Sequence, residues 1–157
     1  MLEAWFNFGI LLLVQLFVFV AFALYERKLS NIWRILGKGI LVGIPFGLLF
    51  DLVLGKLLGL STYALGFELY FLIPNAALSY GIFAATILLL NQQRRIYFCI
   101  ATISITALYE VANLYLRVWA WHFPVPILLF PVILAIGYVA GAILVVKTDQ
   151  QLKLKRL

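Results

Sequence analysis

Five stretches of roughly twenty residues, each nearly free of charge, leave this chain few folds to choose from. They cover about 4–25, 39–60, 70–90, 96–116 and 125–146. A helix needs about 20 mostly apolar residues to cross a hydrocarbon layer ~30 Å thick. Lipid offers no partner for backbone N–H and C=O groups, so a spanning segment must bond them internally, as a helix does. The chain has 157 residues, 66% hydrophobic and 11% charged, more apolar surface than a soluble domain of that length can bury. The predicted fold class is an all-α membrane protein: one polytopic domain over 1–157 with five transmembrane helices.

The charges predict how the helices thread the membrane. Arg27, Lys28, Arg34 and Lys38 follow the first span, Arg94 and Arg95 the third, and Lys147, Lys153, Lys155 and Arg156 the fifth, ten of the twelve Lys and Arg in all. Basic loops stay cytoplasmic, so the N-terminus is expected outside and the C-terminus in the cytoplasm. The net charge of +6 is then a matter of topology, and no nucleic-acid partner is expected. The opening "MLEAWFNFG" carries Glu3 and no early Lys or Arg, the wrong flank for a cleaved signal, so the first span is expected to remain. Trp5, Tyr25, Trp33, Tyr63, Tyr70, Trp119 and Trp121 stand near span ends, where a ring can be apolar and its NH or OH wet. The expected location is an integral, multi-pass position in a bacterial or organellar inner membrane. Cys99 is the single cysteine and His122 the single histidine, so neither an internal disulfide nor a metal centre is expected, and no cofactor.

Function, if it is written anywhere, is written in the polar residues of the spans. In "GKGILVGIPFGLLFDLVLGKLLG" small residues recur at Gly39, Gly43, Gly47, Gly55 and Gly59, and Asp51 stands where the ladder skips. Such a face lets another helix approach closely, within the chain or in a homo- or hetero-oligomer through Gly39, Gly43, Gly47 and Gly55. Pro45 predicts a kink. In the fourth span Thr102, Thr106, Glu110, Asn113 and Arg117 follow at steps of four, four, three and four, one helical face. The third span offers Asn75, Ser79 and Thr86. At 1.5 Å per residue, Asp51 lies ~18 Å and Glu110 ~21 Å into spans that run the same way, both just past mid-depth. Lys56 and Arg117 follow as bases that can snorkel outward or turn in to pair with the acids. A charge at such depth costs ~2.5–3.5 kcal/mol or more. Two readings stay open: the acids tie helices together, or they line a common cavity and move protons.

The two acidic stretches resemble each other. "FDLVLGKLLGLSTY" runs from Asp51 to Tyr63, and "YEVANLYLRVWAW" from Glu110 to Trp119 and Trp121. Each is an acid, an apolar half-helix, a base and interfacial aromatics, which predicts two parallel helix pairs with the first span added.

Residues 25–90, and more faintly 96–145, also resemble the small lycopene cyclase domains of carotenoid biosynthesis. Pro45, Phe46, Phe50 and Asp51 match that family's Pro-Phe and Trp-Asp stretch. Gly59, Leu60 and Tyr63 match its Gly-Ile-Trp-x-Phe helix end with one extra residue. Glu110, Trp119 and Trp121 keep the acid-to-aromatic spacing, with Arg117 in place of the glycine. Where those domains carry Pro-x-Glu-Glu, this chain has Pro74, Asn75, Ala76 and Ala77. The resemblance implies an isomerase that starts from protonation of a polyene, with Asp51 or Glu110 as the acid. Asn75 would orient it and, together with Ser79, Tyr63, Tyr70, Asn113, Arg117, Trp119 and Trp121, would bind the substrate. The alternatives from the residues themselves are a non-catalytic subunit that binds a lipid, a pigment or a partner protein, and a small proton-coupled transporter.

Overall fold

The computed structural model describes residues 2–59, 61–66, 68–90, 94–121 and 130–154. For Leu54, Ser61, Arg95, Thr106, Glu110, Leu114, Trp119, Trp121, Leu152, Leu154 and residues 130–139 only the backbone is described. The helices are α1 (Leu2–Tyr25), α2 (Ile32–Phe50), α3 (Leu69–Pro74), α4 (Gly81–Leu89), α5 (Arg95–Leu116) and α6 (Phe130–Leu154). Two short strands, β1 (Ser61–Tyr63) and β2 (Trp119–Trp121), complete the order. Four stretches are long and apolar enough to cross a membrane: Leu2–Tyr25, Leu29–Leu57, Leu69–Leu89 and Ile96–Asn113. α6 adds a fifth long helix; the approach to it with Pro124 and Pro126 lies outside the described residues.

α1 shows why these helices belong in lipid. Its buried residues Phe8, Leu11, Gln15, the pair Val18 and Phe19, and Ala23 recur every three to four positions, one inward stripe. The opposite face is just as apolar, with Leu13 66% and Phe17 75% exposed. A helix apolar all round needs an apolar surround on every side.

The glycine ladder is spent inside the chain. α2 packs on α4 and on the turn that precedes it. A Cβ at Gly39 would fall 2.5 Å from the Cβ of Ala85, and one at Gly43 would fall 2.6 Å from the amide nitrogen of Gly81. A Cβ at Gly47 would meet the ring of Tyr80 at 2.7 Å. Of the two uses the sequence allows for this face, a contact within the chain or an oligomer, the first is the one seen at Gly39, Gly43 and Gly47. The reason is that Gly81 and Ala85 supply a matching small surface nearby in the same chain. α2 also runs through Pro45 without a break in its winding; regular α winding ends at Asp51 instead.

From Asp51 to Leu57, and again from Asn75 to Tyr80, the chain winds as a π-helix, the wider turn bonded from residue i to i+5. So α3, the π turn and α4 form one rod, the most enclosed of the four apolar stretches. β1 and β2 join the two connecting loops as an antiparallel ribbon that pairs Ser61 with Trp121, Thr62 with Ala120 and Tyr63 with Trp119. A left-handed residue stands two positions before each strand: Gly59 at φ +64° and Arg117 at φ +50°. Glycine takes that conformation without strain; Arg117 takes it while Asn113 pins the turn from both sides. The Asn113 carbonyl accepts the Arg117 N–H at 2.7 Å, and its Oδ1 accepts the Val118 N–H at 3.1 Å.

At the other end, polar groups tie helices together. The Lys28 ammonium donates to the Leu89 carbonyl at 2.6 Å, at the close of α4. Asp149 lies between Lys38, 3.1 Å from Oδ1, and Lys153, 2.7 Å from Oδ2, joining α2 to α6. Burial alone pushes the Asp149 carboxyl up, but the bonds and charges of the two lysines outweigh it and hold it below the usual carboxylate value. A folded value below the unfolded one stabilises fully above the unfolded pKa of ~3.9 and is lost as pH falls through the folded value. Asp149→Asn should therefore cost about 1 kcal/mol at neutral pH. Its melting temperature in detergent should also fall less steeply than wild type below about pH 4. Parallel pH curves for the two proteins would rule out a working clasp.

Candidate functional site

Asp51 is 1% exposed, among the most enclosed polar side chains described. A buried carboxyl without donors is expensive, and this one has three. The Tyr63 hydroxyl donates to Oδ1 at 2.6 Å and the Tyr80 hydroxyl to the same oxygen at 2.7 Å. The Asn75 amide nitrogen donates to Oδ2 at 3.0 Å. The two phenol oxygens lie 3.4 Å apart, and the Asn75 nitrogen is 3.5 Å from that of Tyr63.

Each partner is delivered by a different device. Asp51 opens the π turn at the end of α2, and its N–H is shared between the carbonyls of Gly47 and Leu48. Tyr63 comes from the last position of β1, so the ribbon sets its aim. Asn75 and Tyr80 are the first and last residues of the second π turn. On an α-helix, residues five apart lie ~140° apart around the axis. Bonding from i to i+5 brings them back to about the same side, so both reach one carboxyl.

Aromatic rings flank the cluster in two groups. Tyr80 meets Phe46 and Phe50 with ring centroids at 6.2 and 6.1 Å, and those two stack on each other at 6.0 Å. Tyr63 meets Phe71 edge-on at 5.2 Å, and Phe71 meets Phe8 at 5.2 Å. A carboxyl bonded to two phenols can take up or pass on a proton, and ring faces beside it favour a positive charge over a neutral guest.

Of the residues singled out in the sequence, Asp51, Asn75 and Tyr63 meet here. Ser79 does not; it accepts a bond from the Gln15 amide at 2.7 Å. Tyr70 is 55% exposed and its ring lies beside Trp5; it sits at the start of α3, on the outer side of the helix, while the adjacent Phe71 and Leu72 are the residues turned inward. Asn113 and Arg117 serve the turn after α5, where a helix end leaves backbone groups to be bonded. Thr102, on the same stripe, bonds back to the Phe98 carbonyl at 2.8 Å. Lys56 is exposed and takes part in none of the ion pairs among the described residues. The side chains of Glu110, Trp119 and Trp121 lie outside those described, so only Asp51 of the two acids has a described setting. Among the described residues no three His, Cys, Asp or Glu side chains come together as metal ligands would. Sequence reasoning missed Tyr80, Phe46 as a ring beside it, and the link from Gln15. A scan against protein-family models, a search of curated proteins and a search of solved structures each find nothing that matches this chain.

Proposed function

We propose that this multi-pass membrane protein is an isomerase that acts on a polyene-like isoprenoid, with Asp51 as the group that moves the proton. The observation that carries the reading is the enclosed carboxyl of Asp51, bonded to Tyr63, Tyr80 and Asn75 between two groups of aromatic rings. In such a reaction a proton adds to a terminal alkene carbon and leaves a tertiary cation. A neighbouring double bond gives its electron pair to form the ring, and loss of a proton restores an alkene. Atoms and electrons balance with no oxidant and no cofactor. Asp51 exchanges the proton, Asn75 holds the carboxyl, and the faces of Phe46, Phe50 and Tyr80 favour the cation. The five spans, with the N-terminus outside and two helix-pair repeats, belong to the same reading. What supports the repeats is the left-handed residue two places before each strand and the pairing of those strands.

The test is expression in cells that accumulate lycopene, followed by chromatography of the pigments. A ring-bearing product is expected, and Asp51→Asn should lower its yield by about 10²-fold or more. An unchanged pigment profile, with the protein present in the membrane, would falsify the enzyme. A second reading, a non-catalytic binder of pigment or lipid, is favoured by the three bonds that already satisfy Asp51 within the chain. It predicts a pigment that co-purifies unaltered.

A further inference from the structure

Gln15 lies on α1, 2% exposed, and belongs to none of the chemistry above. Its amide nitrogen donates to Ser79 Oγ at 2.7 Å, while its carbonyl oxygen is buried without a partner. A buried acceptor left unpaired costs about 1–3 kcal/mol, so an apolar residue would serve simple packing better. What Gln15 holds is the π turn Asn75–Tyr80, since Ser79 is its fifth residue. π winding is less favoured than α winding and persists where the surroundings hold it. Were the turn to relax to α, Tyr80 would swing ~140° from Asn75 and only one of them could reach Asp51.

We infer that Gln15 is a positioning residue: through Ser79 it keeps the π turn in the register that brings both Asn75 and Tyr80 to Asp51. α1 is thereby part of the site's machinery while touching none of its carboxyl atoms. The inference stands apart from any activity and can be read from the carboxyl itself.

The experiment is infrared spectroscopy of the full-length protein in lipid vesicles. The Asp51 band is identified as the one that Asp51→Asn removes. Gln15→Leu and Ser79→Ala should each shift this band, and the double variant should shift it no further than either alone, because both break one link. Ser104→Ala is the control: it also removes a single hydroxyl, but one that is exposed and bonds the Ile100 carbonyl of its own helix α5 at 2.9 Å. It should leave the band in place. If Gln15→Leu fails to fold, Ser79→Ala, which removes a single hydroxyl, decides alone. A band unmoved by Ser79→Ala, or moved equally by Ser104→Ala, overturns the inference.

Discussion

Asp51→Leu is expected to lower the stability of the protein by about 2–4 kcal/mol, a large part of the ~5–15 kcal/mol that holds a typical domain together. The side chain is similar in size and suits a buried, apolar place. What it removes is the acceptor. The hydroxyls of Tyr63 and Tyr80 and the amide of Asn75 all donate to Asp51, and each donor left unmet costs about 1–3 kcal/mol. The full sum overstates the loss, because the phenol oxygens are 3.4 Å apart and can bond to each other. Asp51→Asn keeps one acceptor oxygen but turns an NH2 group towards donors, so it should fall between, at about 1–2 kcal/mol. Thermal unfolding in detergent, followed by circular dichroism, measures both. A leucine variant as stable as wild type would show that the three donors do not depend on this carboxyl.

The second large effect is steric. Gly43→Ala adds one methyl group, and that carbon would lie 2.6 Å from the nitrogen and 2.7 Å from the Cα of Gly81. Those are backbone atoms of a neighbouring helix, so relief requires α2 and α4 to move apart along their whole contact. Overpacking of this kind costs about 1–3 kcal/mol, and here the upper end is expected. Gly37 sits on the same helix with nothing within 4 Å of its added Cβ. Gly37→Ala should therefore gain about 0.5–1 kcal/mol from helix propensity alone. Opposite signs for two identical substitutions six residues apart is a sharp test of the α2–α4 contact. Equal effects would mean that the helices do not meet there.

Much of the helical layout could be read from the sequence, because length and hydropathy leave a lipid-spanning segment little freedom. α1 was expected over 4–25 and spans Leu2–Tyr25; the third span was expected over 70–90 and Leu69–Leu89 answers it. The glycine ladder correctly announced a close helix contact, but spacing alone does not say whose helix fills it; Gly81 and Ala85 do. The site was half legible. Asp51 stood out as a carboxylate in an apolar run and Asn75 as a polar residue within the third span, while Tyr63 was read as a span-end aromatic and as one of the residues that would bind the substrate. Tyr80 was hidden because periodicity arguments assume 3.6 residues per turn, and its place beside Asn75 exists only in a π turn. On the α5 stripe two residues are used locally. Thr102 and Asn113 share a face, yet Thr102 bonds its own preceding turn and Asn113 the chain reversal after it. A polar face of hydroxyls and amides can be consumed by local backbone bonds before it is offered to any guest.

The three-residue ribbon has a consequence for how the molecule could be influenced. Side chains alternate along a strand, so a slip of β1 against β2 by a single residue would turn Tyr63 to the opposite side. The orientation of a phenol in the first half of the polypeptide is thus dictated by main-chain atoms near residue 120. Whatever tugs on that distant strand is felt at the acid through a short lever, with no need for any of the long rods to tilt.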